Sequence, residues 1–197
     1  MPQEKKEIPP LYGLVLAGGR STRMGMDKAS IKYHQINQVH YLAGLLSGFC
    51  VDVYISVRKD QEGSDIFSGL QLITDIVTNS GPIAGLYTAL TFKPTSAWLT
   101  VPLDSPNLDS RQICRLVNSR KAEKMVTAAK SRNNVVPEPL FAIYEPSALS
   151  KIEQSMYTGN KSLRDIVDNF GKIIDLPYNI LNINDKSDLY AYKEGLL

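Results

Sequence analysis

Residues 11–28 read LYGLVLAGGRSTRMGMDK, and the reading of this stretch decides the fold. Residues 11–16 form a short apolar run that holds Val15, with a glycine pair directly behind it. Periodicity alone does not separate a buried strand from a buried helix over so short a run, but its length and the glycines favour a strand. Beyond it, Gly18, Gly19 and Gly25 are interspersed with Arg20, Arg23 and Lys28. Glycine permits positive φ and lets a ligand approach the main chain closely. Successive free N–H groups in such a loop form an anion-binding concavity, which nearby cations reinforce. A strand running into this loop is what a polyphosphate site needs; a solvated glycine-rich surface turn is the plainer alternative. The loop fits neither G-x-x-x-x-G-K-[ST] nor G-x-G-x-x-G, so neither a P-loop nor a dinucleotide fingerprint is predicted.

Working outward, residues 30–33 suggest a short extended piece and residues 34–37 a polar turn. Val39, Leu42 and Leu46 recur at helical spacing and predict a helix over 38–49, with His40 off the apolar stripe and at the surface. Residues 51–57 (VDVYISV) alternate and are β-branched, a second strand. Residues 61–69 read as loop or short helix, and 70–74 as a third strand ending at Asp75. The segment GPIAGL, residues 81–86, opens a helix carrying Leu86, Ala89 and Leu90, with Pro82 suited to the first turn. Residues 97–103 form a strand with Trp98 in the core, followed by Asp104, Ser105 and Pro106. Asp109 with Gln112 predicts a capping box for a helix bearing Ile113, Leu116 and Val117. Strands over 125–129 and 140–144 flank an exposed loop; 147–156 and 162–170 read as helices and 172–176 as a strand. A last helix is capped by Asp185, with Leu189, Tyr192 and Leu196 inward. Strands alternating with helices predict an α/β fold with a mostly parallel central sheet.

A chain of 197 residues is most economically one domain: residues 1–10 read as a flexible tail and 11–197 as the domain. The net charge of +2 gives no global basic field for a nucleic-acid partner. Cys50 and Cys114 are isolated, without C-x-x-C or a histidine at ligand spacing, and are expected as reduced core thiols. The opening MPQEKKEIPP lacks the apolar segment of a secretory signal, and no apolar run reaches membrane-spanning length. The expectation is a soluble cytoplasmic protein with neither membrane nor nucleic acid as partner.

In a doubly wound sheet, ligands sit beyond the carboxyl ends of the strands. The glycine loop, Asp75 and Asp104 all fall there. Asp104 is placed to hold Mg²⁺, which binds through one or two carboxylates plus substrate phosphates; a turn or cap role is the alternative, but Asp109 is the better cap. Asp75 alone divides evenly between turn residue and ligand group. Asn182 and Asn184 share one face of an extended piece, where turn chemistry before a helix is the plainer reading.

LAGGRSTRMGMDK also resembles the signature L-A-G-G-x-S-x-R-M-G-x-D-K of the molybdopterin nucleotidyltransferases, most closely the molybdenum cofactor guanylyltransferase family. Leu16, Ala17, Gly18, Gly19, Ser21, Arg23, Met24, Gly25, Asp27 and Lys28 meet its fixed positions. The resemblance implies a Rossmann-like three-layer sandwich of the nucleotide-diphospho-sugar transferase type. It implies Mg²⁺-dependent transfer of GMP from GTP to the phosphate of molybdopterin, releasing pyrophosphate. Leu16, Ala17, Gly18, Gly19, Gly25, Lys28, Asp75, Gly81 and Asp104 would bind the nucleotide, and Arg23, Lys28 and Asp104 would act in catalysis, Asp104 as the metal ligand. Gly81 and Gly85 would let a flat base approach the backbone. Gly18 and Gly19, where cytidylyl relatives tend to carry A-A-G, favour GTP over CTP.

VPLDSPNL resembles the family's magnesium segment, PEPLFAIY its P-L-x-A-x-Y segment, and NINDKSDL its N-I-N-T-P-E-D-L ending. GNKSLRD is similar to its acceptor-side basic stretch, where Lys161 and Arg164 would meet the pterin phosphate. Three departures stand out: no glycine in the turn at 34–37, Arg58 where the family often carries a nucleotide-contacting Asn, and Asp185–Lys186 in place of Thr-Pro. The implied partners are GTP, molybdopterin, and molybdoenzymes or their chaperones. The rivals are a cytidylyl- or sugar-phosphate nucleotidyltransferase on the same scaffold, and a catalytically silent nucleotide-binding module.

Overall fold

The computed structural model describes residues 7–19, 24–25 and 27–196. Arg20, Ser21, Arg23 and residues 1–6 of the expected tail lie outside that set. Strands β1 (Leu11–Leu16), β2 (Val53–Val57), β3 (Gln71–Thr74), β4 (Ala97–Pro102), β5 (Val126–Lys130), β6 (Glu138–Tyr144) and β7 (Gly171–Asp175) form one sheet in the order β3-β2-β1-β4-β6-β5-β7. Only β6 runs antiparallel, to both β4 and β5. The helices are α1 (Gln38–Ser47), α2 (Pro82–Phe92), α3 (Ser110–Asn118), α4 (Leu149–Tyr157), α5 (Leu163–Phe170) and α6 (Lys186–Lys193).

Alternation along the strands builds two cores, as a pleated sheet buried on both faces requires. Val15, Ile55, Leu99 and Val101 point to one face and pack against Val39, Leu42 and Leu46 of α1 and Ile113 and Leu116 of α3. Leu14, Tyr54 and Trp98 point to the other, against Leu86, Ala89 and Leu90 of α2, Ile152 of α4 and Ile166 of α5. The result is the predicted three-layer α/β sandwich. Trp98 is fully buried, as expected. The predicted capping box forms, with Asp109 accepting from the N–H groups of Arg111 and Gln112 while Gln112 accepts from Asp109. Asp185 likewise caps α6.

Two side chains depart from expectation. Helix α6 ends at Lys193, so Leu196 falls beyond the last turn and is 72% exposed rather than inward. Cys114 sits on the outer side of α3 and is exposed, not a core thiol; Cys50 is half-buried. At the amino end, the carbonyl of Pro10 accepts from Ala97 N–H and that of Pro9 from Arg120 Nη2.

A third, small cluster bears on function. Met24, Ile31, Ile183 and Leu189 pack together, with Tyr33 and Tyr192 in edge-to-face contact at 5.3 Å. It joins the segment after β1 to the start of α6, bringing two ends of the chain together beside the sheet.

Candidate active site

The topology fixes where a ligand can enter. From β1 the chain moves outward to β2 and β3, then returns through α2 on the opposite face to β4 on the other side of β1. Between β1 and β4 the winding reverses, and a crevice opens there beyond the carboxyl ends. Parallel register sets the levels: Leu16 pairs with Pro102 and with Ser56, so the Ala17–Gly18 turn lies level with Leu103–Asp104 and with Arg58. Val57 pairs with Thr74, which puts Asp75 at the same height.

A cavity of about 350 Å³ opens at this point, and Leu16, Ala17, Gly18, Gly19, Lys28, Asp75, Gly81 and Asp104 all line it. A second hollow, lined in part by Arg58, Asp60 and Asn79, shares Gly18, Gly19, Asp75 and Gly81 with it. Of the residues expected in the site, Arg23 lies outside the described residues. Gly25 does not line the cavity: its φ of +67° accounts for the glycine, and a Cβ there would face the Lys186 side chain at 3.6 Å.

Lys28 and Asp104, 76 positions apart, meet at 3.3 Å, and Lys28 Nζ also donates to the Ile183 carbonyl at 2.9 Å. The Ile183 N–H in turn donates to the Asp104 carbonyl at 2.7 Å. The small Met24–Ile183 cluster therefore delivers the cation of the first loop to the carboxylate at the end of β4. Both side chains are largely screened from water, with exposures of 18% and 26%.

Asp75 is held by Ser56 Oγ, which donates to it at 2.7 Å. Burial pushes its carboxyl above the ordinary range, partly opposed by Ser56 and by the Arg58 guanidinium. Gly18 is glycine because a Cβ would stand 2.8 Å from Asp75 Oδ2. Gly81 caps α2 with φ 67° and ψ −156°, a region essentially reserved to glycine, and no side chain caps that helix end. The positive dipole end of α2 thus opens on the cavity at Gly81 and Pro82, a disposition that favours anions. Gly85 is different. A Cβ there would collide with Ser56 Oγ and stand 2.9 Å from Leu16 Cδ2, so this glycine seats α2 against β1 and β2, and it also lines the cavity.

Asn184 lines the cavity, whereas Asn182 accepts from Ser105 Oγ at 2.9 Å. Its amide reaches Glu138 Oε2 at 3.5 Å. Burial raises the Glu138 carboxyl, and the nearby Asp104 charge adds to the rise. Ser56, Arg58, Gln61 and Glu138 were not assigned to the site from sequence. Ser56 left a signal there, as a polar residue at a buried position of an otherwise apolar strand, and Arg58 stands where the resembling family often carries a nucleotide-contacting Asn. Lys161 reaches across to the carbonyl of Asn79 at 3.4 Å.

No group of three His, Cys, Asp or Glu side chains suited to a metal occurs among the described residues. Asp104 offers a single hard oxygen ligand. That matches a magnesium ion completing its shell from substrate phosphates and water, and not a resident metal held by protein alone.

The fold and the cavity define an α/β domain built to bind a nucleoside polyphosphate at a topological switch point. The chain belongs to the MobA-like NTP transferase domain family, whose pattern it matches over residues 13–173. It is 29% identical over 185 residues to the molybdenum cofactor guanylyltransferase of Yersinia pestis, covering 93% of this chain and 90% of that protein. It is 33% identical over 150 residues to the molybdenum cofactor biosynthesis bifunctional protein of Synechocystis sp., covering 76% of this chain but only 43% of that longer relative. The fold superposes with a TM-score of 0.78 on molybdopterin-guanine dinucleotide biosynthesis protein A from Archaeoglobus fulgidus, at 21% identity, covering 94% of this chain and 98% of the other.

Proposed function

We propose that residues 11–197 act as one nucleotidyltransferase domain that moves GMP from GTP to the terminal phosphate of molybdopterin and releases pyrophosphate. The observation that carries this reading is the convergence of Gly18, Gly19, Lys28, Asp75, Gly81 and Asp104 on one cavity at the switch point. The relatives' names supply the substrate pair.

In the reaction, an oxygen of the acceptor phosphate attacks the α-phosphorus of GTP. The bond from that phosphorus to the bridging oxygen breaks, and its electron pair leaves with pyrophosphate. A phosphate monoester has a second pKa of about 6, so the nucleophile is already anionic near neutrality and needs no side-chain base. Chemistry of this kind is mostly positioning and charge stabilisation.

The Gly18 and Gly19 N–H groups, with Arg23 of the signature, serve the phosphates. Lys28 neutralises the leaving pyrophosphate, and Asp75 with Gly81 grips the nucleoside. Asp104 would hold Mg²⁺, which supplies Lewis acidity and a template at the α-phosphate. Lys161, Arg164 and the Asn182–Asn184 segment suit the acceptor phosphate. A cytoplasmic setting suits a GTP-consuming step whose product passes to molybdoenzymes or their chaperones.

The test is pyrophosphate release with molybdopterin and each of GTP, CTP, UTP and ATP, with and without Mg²⁺. Release with GTP and Mg²⁺ alone is expected. Release with CTP in preference would move the protein to the cytidylyl class, and GTP binding without release would make it a silent nucleotide-binding module.

A further inference from the structure

The carbonyl oxygens of Ala17, Gly18 and Gly19 are all taken by two side chains from the turn after β2. Arg58 Nη1 donates to Gly18 O at 2.8 Å and to Gly19 O at 3.0 Å. Gln61 Nε2 donates to Ala17 O at 3.2 Å and to Asp27 Oδ2 at 3.2 Å. Gln61 is 6% exposed, and its own carbonyl accepts from the Arg58 N–H at 3.0 Å, which turns its amide donors to the loop. Asp60 fixes the guanidinium with two bonds, Nε to Oδ1 at 3.0 Å and Nη2 to Oδ2 at 3.1 Å. That two-point grip leaves Nη1 aimed at the glycines.

A trans peptide is planar, so its N–H points opposite to its C=O. Drawing the carbonyls of residues 17 and 18 toward Arg58 and Gln61 turns the N–H groups of Gly18 and Gly19 the other way. We infer that Arg58 and Gln61 are positioning residues, a clamp on the outer side of the glycine loop that holds its amide donors in register for a nucleoside triphosphate. This rests on the nucleotide-binding reading above. It gives a use to Arg58 at the position where the resemblance led one to expect an asparagine. Because Asp60 already balances its charge, Arg58 acts through fork geometry and not through a field on the phosphates.

Arg58→Lys separates these two roles, since it keeps the charge and loses the fork. Steady-state kinetics on GTP, together with calorimetric binding of Mg–GTP and of guanosine, are measured for the wild type, Arg58→Lys, Arg58→Met and Gln61→Leu. Arg58→Lys and Arg58→Met are both expected to raise KM for GTP and weaken Mg–GTP binding by about tenfold. In both, kcat stays within about twofold of wild type and guanosine affinity holds. Gln61→Leu shifts the same quantities in the same direction, by less. Arg58→Lys matching the wild type while Arg58→Met fails would replace the clamp by a charge effect. Equal loss of guanosine and Mg–GTP binding would reduce the clamp to general support of the fold. A wild-type protein that binds no triphosphate would bring down the nucleotide reading and this inference together, and that result is visible before any variant is made.

Discussion

Gly18→Ala tests the geometry on which the site depends. The backbone at Gly18 is not at positive φ, so alanine meets no conformational penalty there. Restricting the unfolded chain should by itself stabilise the variant by about 0.4–1 kcal/mol. Against this, the new Cβ would stand 2.8 Å from Asp75 Oδ2, where ordinary contact begins at 3.4 Å. The carboxylate must then retreat by about 0.6 Å, and it is tied on its other oxygen to Ser56 Oγ at 2.7 Å. Stretching that bond costs about 1 kcal/mol, which cancels the chain-entropy gain. Gly19 provides the control, because a Cβ there meets no described residue within 4 Å and Gly19 is not at positive φ. Gly19→Ala should therefore show the gain undiminished. For a protein of this size the two variants should melt about 2–4 °C apart, with Gly18→Ala the lower. Displacing Asp75 by a large fraction of an ångström should also weaken guanosine binding about tenfold. Differential scanning calorimetry and guanosine titration read both effects. Coincident melting temperatures and equal guanosine affinities would refute the claim that Gly18 exists to admit Asp75.

Gln35 holds φ 67° in the turn where the resembling family has a glycine, a conformation costing a side-chain-bearing residue about 1–2 kcal/mol. Gln35→Gly should stabilise the protein by up to about 1 kcal/mol in urea denaturation, and Gln35→Ala should not. Asp75→Asn removes a carboxyl whose native pKa is raised by burial. The wild type binds that proton more tightly when folded, so it loses stability as pH rises from the ordinary aspartate range through the raised value. The stability advantage of Asp75→Asn should grow over that interval and level off above it; a difference independent of pH would contradict the assignment. Burial pushes the Cys50 thiol up to about 12, whereas Cys114 is exposed. Iodoacetamide near pH 8 should modify Cys114 alone, with Cys50 reacting after denaturation, as peptide mapping would reveal.

The fold was legible because its signals are local. The run at 11–16, the alternation at 51–57 and the capping box at Asp109 each act over a few residues, and each element formed where its pattern lay. The antiparallel insertion of β6 between β4 and β5 was not legible, because strand order is a matter of long-range pairing that periodicity does not encode. The same division holds for the site. Gly18, Gly19, Asp75 and Asp104 announced themselves as residues of the right chemistry at strand ends. Arg58 stood out only as a departure from an expected Asn, and Gln61 only as the start of a loop or short helix, because their role depends on partners at residues 17–19 that lie about forty positions away. At Gly85 the local sequence did not show a packing role, because a glycine does not say what fills the missing side chain; here Ser56 and Leu16 close against it, while Gly85 also lines the cavity.

The pairing of charges around the cavity also bears on the metal. Lys28 meets Asp104, and Arg58 meets Asp60 while standing near Asp75. Each of these cations is thus matched by a carboxylate, and these four side chains with Asp75 present no net positive charge to a triphosphate. The amides of the glycine loop and the open end of α2 contribute partial charges only. A divalent cation arriving with a triphosphate would add positive charge that these five side chains do not supply, and Asp104 is the carboxylate that would receive it. Lys28 Nζ is held from two sides, by Asp104 at 3.3 Å and by the Ile183 carbonyl at 2.9 Å, and the Ile183 N–H returns to the Asp104 carbonyl at 2.7 Å. Residues 28, 104 and 183 thus form a single junction, so a change at any one of them should displace both the ammonium and the carboxylate that the proposed reaction uses.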